Sequence, residues 1–254
     1  MLFADIALAR RIEAAEAAIA RGCAPAAAVL EVAGGCAVFV GAESPLTQAV
    51  GIGLSGPVPG AEIAAMEAFF RTRGAQVKLD LCPLADSGLL ELLAARRYRA
   101  TEFNNVLVRK LAGAETAAAP RARRAEGGEG DLWSNVVGRG FFEQASLTAE
   151  EMDVGRAIAA MPGAACYLAA EDGQPAAGGA LAVHAGLATL FGDSTIPAFR
   201  RRGLHRELIA ARLNDALAQG CDLAAASTLP GSASQRNYER LGFEVAYTKV
   251  TLVG

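Results

Sequence analysis

Histidine is scarce in this sequence of 254 residues, which contains only His184 and His205. Ser-His-Asp and Cys-His hydrolases need a histidine beside the nucleophile, so the scarcity weakens both assignments. The five cysteines are scattered without a C-x-x-C pair, whereas a zinc site needs a tighter cluster of ligands. We therefore expect no metal site, and we interpret the cysteines as small buried side chains in a reducing compartment.

Long apolar runs and an excess of one charge are also missing. No stretch approaches the roughly 18 consecutive apolar residues that would span a bilayer. Charges such as Asp5, Arg10 and Glu13 interrupt the N-terminus, which predicts a surface helix and not a signal peptide. The net charge of −3 argues against a general nucleic-acid binder. The sequence thus predicts a cytoplasmic protein without a nucleic-acid or membrane partner.

Residues 112–130 are the best candidate for a linker, because they carry alanine, glycine, proline and charge without apolar periodicity. Their arginines (Arg121, Arg123 and Arg124) could form a patch that binds nucleic acid or anionic lipid. The acidic residues Glu126 and Glu129 follow at once, which favours a solvated tether. The predicted domains are residues 1–111 and 131–254.

The two halves resemble each other when one is shifted by about 146 residues, so that Phe69–Val108 lies over Leu213–Val253. Gly74 then meets Gly220, and each glycine would end an amphipathic helix in a left-handed conformation. Each is followed by a short strand, a proline-containing loop, a second helix and a closing strand. Identity is low, so chance resemblance stays open; a true repeat means two copies of one fold in tandem.

The C-terminal copy has a readable order of elements. Four helices are predicted. Two cover residues 131–144 and 204–219, a third begins at the capping box of Thr148 and Glu151, and a fourth begins after an N-cap at Ser232. Strands are predicted over 165–170, 176–185, 188–194, 222–227 and 243–253. The fold class is α/β, with two tandem domains that each contain a mixed, mostly antiparallel twisted sheet flanked by helices.

Four arginines fall within the seven residues Arg200–Arg206, where a strand leads into a helix. A helix start offers unpaired N–H groups and the positive end of the helix dipole, and Gly203 lets the backbone approach a ligand closely. Such a loop suits a pyrophosphate. The alternative is a helix start with merely solvated arginines, but cations oppose the dipole there, which favours the phosphate interpretation.

Two motifs carry a family resemblance. The loop Arg200-x-x-Gly203, preceded by Ile196–Phe199 and followed by an amphipathic helix, resembles the cofactor loop of the GNAT superfamily of N-acyltransferases. The stretch Ser234–Phe243 is similar to the last helix of that family and its Leu-Gly-Phe ending. The order of elements matches over essentially all of Leu132–Gly254, so the chain looks like a tandem GNAT protein with a degenerate N-terminal half.

The resemblance implies acetyl-CoA as co-substrate, bound in a V-shaped gap between two splayed strands. An acceptor amine, on a small molecule or a peptide, would attack the thioester directly. Backbone groups of Asp193–Ile196 would pair with the pantetheine arm, and the amides of Arg201–Arg206 would hold the pyrophosphate. The expected cofactor-binding residues are Ser194, Thr195, Ile196, Arg200, Arg201, Arg202, Gly203, Leu204, His205, Arg206, Ser232, Ser234 and Asn237.

The sequence departs from the family at two of these positions. His205 stands where members usually carry Gly or Ala; it could reach a 3′-phosphate, although a solvent-facing helix residue is the simpler interpretation. Gly231 occupies the position of a pantetheine-binding Asn in many members, so Ser232 or Ser234 would have to substitute for it.

The resemblance also suggests the catalytic residues. Tyr238 falls where many members place a tyrosine that protonates the leaving thiolate, although it could simply pack its helix on the sheet. Asp193 is the best-placed carboxylate to deprotonate an amine, but it could also bind a turn or a positively charged substrate. His184 is expected to be a core or strand histidine.

The N-terminal copy lacks the arginine loop. Pro57 and Pro59 fall at the equivalent place, and neither has an N–H to donate. The alternative to an N-acyltransferase is a non-catalytic CoA-binding or scaffolding protein with the same fold. The acceptor, the length of the acyl group and the choice between monomer and homodimer are not decided by the sequence.

Overall fold

The chain forms two compact units in a computed structural model that describes residues 4–23, 27–112 and 118–254. The first unit comprises Met1–Val106, Thr228–Pro230 and Val245–Gly254, and the second comprises Leu107–Ser227 and Gly231–Glu244. The helices are α1 (Ile6–Gly22), α2 (Gly60–Arg71), α3 (Ser87–Ala95), α4 (Gly130–Phe141), α5 (Ala149–Ala159), α6 (Leu204–Ala218) and α7 (Ala233–Arg240). The strands are β1 (Ala28–Val32), β2 (Gly35–Phe39), β3 (Gln48–Val50), β4 (Lys78–Leu81), β5 (Arg99–Lys110), β6 (Ala122–Arg124), β7 (Ala164–Glu171), β8 (Gln174–His184), β9 (Leu187–Thr195), β10 (Leu223–Thr228) and β11 (Glu244–Val253).

In the first unit, strands lie in the order β1-β2-β3-β4-β11, and β3 runs parallel to β4. Strand β11 pairs antiparallel with β4, with Val253 opposite Lys78. Alternate side chains of β11 face α1, where Lys249 is 3% exposed and makes ion pairs with Glu13 and Glu16. The hydroxyl of Tyr247 donates to Glu13 over 2.7 Å. Paired charges and buried apolar side chains together hold the final strand in this unit.

In the second unit, strands β6, β7, β8 and β9 form an antiparallel run, and β10 lies parallel to β9. The elements predicted for the C-terminal copy are all present, with ends shifted by a few residues at most. Thr148 and Glu151 form the predicted capping box, and Ser232 caps α7. The α/β fold class is therefore confirmed.

The units differ from the predicted domain boundaries at both ends. Val245–Gly254 belongs to the first unit, because β11 pairs with β4. Leu107–Lys110, at the end of β5, belongs to the second unit, where Leu107 packs in the core. The segment expected to be a linker contains β6, which pairs with Tyr167–Ala169 of β7. This strand was missed because three residues are too short to show a period-2 pattern.

The two halves repeat the same local geometry at the predicted offset. Gly74 (φ +70°) and Gly220 (φ +76°) are both left-handed after a helix. Ala75 N–H donates to Phe70 O, and Cys221 N–H donates to Ala216 O, which is the same turn 146 residues later. Asp86 and Ser232, again 146 residues apart, cap α3 and α7. These shared hydrogen bonds support a repeated fold.

Among the residues that the structure describes, no helix is long and apolar enough to cross a membrane.

We predict that Gly74→Ala and Gly220→Ala each lower the free energy of unfolding by about 1 kcal/mol, because L-residues are strained in the left-handed region. Neither glycine has an atom within 4 Å of the position of an added Cβ, so the cost is conformational. Urea unfolding measures it. Gly127→Ala, with the same open surroundings but no positive φ, is the control and should change little. Equal stability of all three variants would contradict the prediction.

Candidate cofactor-binding and active site

Strands β9 and β10 diverge near the middle of β9. Their pairing runs from Leu187 opposite Leu223 to Leu190 opposite Ala226, whereas β9 continues to Thr195 alongside β8. The register of β9 shifts next to Gly192, whose φ of +64° bends the strand. Beyond Leu190, β9 therefore has no pairing with β10, which is consistent with the expected pair of splayed strands.

The loop after β9 is shaped for close backbone approach. Pro197–Phe199 forms a short 3₁₀ turn, and Gly203 caps α6 with φ +87°. Arg201 also has a positive φ, of 64°, which is uncommon for a residue with a side chain. The carbonyl of Gly203 accepts from the N–H groups of Arg206 and Glu207. The amide of Arg206, expected to hold pyrophosphate, is thus used within the helix.

Five successive N–H groups, those of Arg201 through His205, form what we call the amide cradle. None donates a hydrogen bond to any residue that the structure describes. They lie at the positive end of the 15-residue helix α6. Unpaired amides at a helix N-terminus bind anions, so this loop can hold a pyrophosphate.

The four arginines of the loop divide into two kinds. The guanidinium of Arg200 donates to Thr195 O, to Gly140 O and to the Glu143 carboxylate. Arg202 lies over the Phe199 ring, 5.4 Å from its centroid. These two arginines fix the loop.

Arg201 and Arg206 are exposed and make no ion pair with a described residue. Their guanidinium groups remain available to phosphate oxygens.

Arg121 also holds this loop, a role that the sequence analysis missed by assigning it to a tether. Its guanidinium donates to Glu207 over 2.8 Å, to Glu171 over 2.5 Å and to Arg202 O over 2.9 Å. A solvated side chain was expected at this position, whereas the guanidinium group of Arg121 is held by these contacts. No local signal could reveal it, because its partners lie at least 50 positions away in sequence.

Asp193 is the centre of a buried group that we call the Asp193 cluster, made of Asp193, His205, Arg212 and Tyr238. Arg212 is fully buried in α6, and its guanidinium donates to one oxygen of Asp193 and to Ala180 O. The Tyr238 hydroxyl donates to the other carboxylate oxygen. His205 Nε2 lies 3.4 Å from that same oxygen, without hydrogen-bond geometry. The cluster joins β9, α6 and α7.

The cluster sets the charge of its members. Burial alone would raise the pKa of Asp193, but Arg212, His205 and Tyr238 outweigh it and lower the pKa to about 2. Burial and the Asp193 charge raise the pKa of Tyr238 well above its usual value. The pair is therefore an ionised carboxylate and a neutral phenol at neutral pH.

Gly179 of β8 makes room for this ion pair. A Cβ at this position would lie 2.5 Å from Asp193 Oδ1 and 2.8 Å from Arg212 Nη1. The Gly179 carbonyl accepts from Trp133 Nε1 of α4 over 3.1 Å, and Trp133 is fully buried. Gly179 thus leaves space for the ion pair, and its hydrogen bond with Trp133 joins β8 to α4.

The expectation that His205 faces solvent is wrong. Its side chain is 15% exposed and points inward, and Asn237 Nδ2 lies 3.0 Å from its Nδ1. The ring meets Tyr238 edge to face, with centroids 5.6 Å apart. The α6 helix begins with a full turn of polar and apolar residues, and its sequence does not say which side faces α7. By contrast, His184 ends β8 and is exposed, so the strand assignment holds but the core alternative does not.

The serines proposed to replace the pantetheine-binding Asn lie at the start of α7. Ser232 Oγ accepts from Gln235 N–H over 3.1 Å as the helix cap, so it keeps its O–H and one lone pair to offer a ligand. Ser234 is partly buried. Neither the serines nor Asn237 is tested as a cofactor ligand, and these assignments stay predictions.

The equivalent loop of the first unit is filled by the protein itself. Leu54 is buried, and a Cβ at Gly53 would lie 2.7 Å from Leu89 Cδ2. The Gly53 N–H donates to Ala33 O, and its carbonyl accepts from Asp86 N–H. This packing, with Pro57 and Pro59, is consistent with a degenerate N-terminal copy.

Comparison with known proteins gives one family and a shared fold. Residues 137–243 match the model of the Acetyltransferase (GNAT) family. A GCN5-related N-acetyltransferase from Kribbella flavida is 20% identical with a TM-score of 0.70, covering 97% of this chain and 95% of that one. A tandem GNAT protein from the clavulanic acid biosynthesis pathway is 15% identical with a TM-score of 0.63, covering 100% and 96%. A comparison with curated protein sequences found no match.

We predict that Asp193→Asn lowers the free energy of unfolding by about 3–5 kcal/mol at pH 7, because it leaves the buried Arg212 charge unpaired. Chemical denaturation measures the loss. Asp153→Asn removes an exposed carboxylate that pairs with Arg156, and it should change stability by less than about 0.5 kcal/mol. A similar small change for both variants would contradict a central role for the cluster.

We also predict that the effect of Asp193→Asn on stability depends on pH. A carboxyl whose folded pKa is lowered stabilises the fold above its unfolded pKa, and the stabilisation is lost as pH falls through the folded value. For Asp193 the window runs from about pH 4 down to about pH 2. The stability difference between wild type and Asp193→Asn should therefore shrink over this range. A constant difference would show that Asp193 is not ionised in the fold.

Proposed function

Since residues 137–243 match the model of the Acetyltransferase (GNAT) family, we propose that the chain is an acyl-CoA-dependent N-acyltransferase with acetyl-CoA as co-substrate. The acceptor would be a primary amine on a small molecule or a peptide. The observation that carries the proposal is the amide cradle at the start of α6, beside the divergence of β9 from β10. A cradle for pyrophosphate next to an open strand edge suits a long phosphorylated thioester.

Each part of the site has a role in this proposal. The cradle and the free guanidinium groups of Arg201 and Arg206 bind the phosphates, while Arg121 and Arg200 hold the loop in place. The pantetheine arm lies along Ser194 and Thr195. The Ile196 N–H donates to Ala176 O, so it is not available to the pantetheine arm.

Acyl transfer needs little covalent chemistry from the protein. The amine nitrogen attacks the thioester carbon, the C–N bond forms, the C–S bond breaks and the electron pair leaves with sulfur. Holding both reactants in line supplies much of the rate enhancement. Of the catalytic residues expected, Tyr238 remains the proposed proton donor and Asp193 the proposed base. The low pKa of Asp193 makes it a weak base, so solvent is the alternative proton acceptor.

The contacts of Tyr238 and Asp193 also fit a second candidate function. Tyr238 and Asp193 bind each other in the cluster, and Asp193 also pairs with the buried Arg212. Side chains committed in this way suit a non-catalytic CoA-binding protein as well as an enzyme. A panel of amines with acetyl-CoA, followed by thiol release, separates the two: binding without transfer favours the second candidate.

We predict that calorimetric titration of acetyl-CoA gives one-to-one binding in the micromolar range. Arg201→Ala/Arg206→Ala should weaken it about tenfold, because two charge-assisted contacts are lost. The control Arg99→Ala/Lys110→Ala removes the same charge from two exposed side chains of β5 and should bind like wild type. Desulfo-CoA should bind with both phosphate contacts intact. If wild type binds neither ligand, the acyltransferase proposal fails.

A further inference from the structure

His205 is the residue at which the loop before α6 meets the Asp193 cluster. Its backbone N–H belongs to the amide cradle, whereas its side chain lies between Asp193, Tyr238 and Asn237. One residue thus faces the proposed phosphate site with its main chain and the buried carboxylate with its ring. A Gly or Ala at this position could make only the first contact.

The hydrogen bonds around the ring define which nitrogen carries the proton. Asn237 Oδ1 accepts from Arg240 Nη1 over 3.3 Å, so the amide of Asn237 is oriented with its NH₂ toward His205. An NH₂ group can only donate, so Nδ1 of His205 must accept. The proton of the neutral ring is then on Nε2, which lies 3.4 Å from Asp193 Oδ2.

A proton on Nε2 suits the charge of the cluster. Asp193 stays ionised, and its Oδ2 already accepts from Tyr238. A second donor on the same side of the carboxylate fits an acceptor that has two oxygens and several lone pairs. The opposite tautomer would direct a lone pair at the carboxylate and an N–H at the Asn237 NH₂, and both contacts would be repulsive.

We propose that His205 is a positioning residue, held by Asn237 as the neutral tautomer with its proton on Nε2, that couples the amide cradle to the Asp193 cluster. The inference rests on the proposed function for its ligand, but the tautomer is a property of the free protein. An anion that binds the cradle draws on the first turn of α6, and the ring transmits this movement to Asp193. The 3.4 Å separation leaves room for the contact to shorten into a hydrogen bond.

The test is ¹⁵N NMR of the imidazole rings in the full chain at neutral pH. The chain contains only two histidines, so few signals need assignment. His184→Gln assigns the signals. We expect His205 to show an unprotonated Nδ1 and a protonated Nε2. A His205 with its proton on Nδ1, or with both nitrogens protonated, would overturn the proposal.

Asn237→Asp tests the lock. A carboxylate at position 237 can only accept, so Nδ1 of His205 should then carry a proton. An unchanged tautomer in this variant would show that Asn237 does not set it. If the variant is unfolded, the wild-type spectrum still decides the tautomer.

Coupling is tested by adding acetyl-CoA. The His205 signals should move on binding and the His184 signals should not; binding with a stationary His205 would overturn the coupling. His205→Gln keeps a donor toward Asp193 and should bind acetyl-CoA within about threefold of wild type. His205→Leu has no donor and should bind about tenfold more weakly. Equal affinity of the two variants would also count against it. If wild type does not bind acetyl-CoA, the proposed function fails while the tautomer result stands.

Discussion

The second unit depends on one buried ion pair, between Asp193 on a bent strand and Arg212 inside a helix. Two charges removed from water are tolerated only when each is paired and the remaining hydrogen-bonding groups are satisfied. Here the guanidinium also donates to Ala180 O and Leu208 O, and the carboxylate also accepts from Tyr238. The geometry of β9, α6 and α7 is fixed together because their side chains share this pair.

That constraint reaches the cofactor loop through α6. The helix that carries Arg212 begins at the amide cradle, so the same rigid element holds the proposed phosphate site at one end and the ion pair two turns later. Gly179 and Gly192 are the backbone adjustments that make this possible. One leaves room for the ion pair, and the other bends the strand that supplies Asp193. A fixed helix start costs a ligand little reorganisation when it binds.

Local signals in the sequence predicted most of the elements and the loop. The Thr148 capping box, the left-handed Gly220 after α6 and the short helix after Ser232 depend on neighbours within a few residues, and such signals are readable from sequence. The partner of a strand is a different matter. The pattern of β11 shows that it is a strand, but not that β4 is its neighbour, because pairing is decided by distant residues.

The same limit applies to the side chains of the site. The Arg200–Arg206 run marked the loop, but charge alone could not distinguish Arg200, which fixes the loop, from Arg201, which is free. Arg121 and Arg212 carry no local sign of their buried or distant partners. The inward orientation of His205 depends on Asp193 and Asn237, which are distant in sequence. Long-range pairing of charge is what the sequence leaves undetermined.

The place of β11 in the first unit has a consequence for how the chain is made. Strand β4 ends at Leu81, and β11 begins roughly 160 residues later. At about 5–20 residues per second, the ribosome needs on the order of ten seconds or more to supply the strand that β4 pairs with. Until then one edge of β4 has no partner from β11, and an uncovered strand edge invites pairing with other chains. The N-terminal half is thus synthesised first, but its sheet is completed only after β11 has been made.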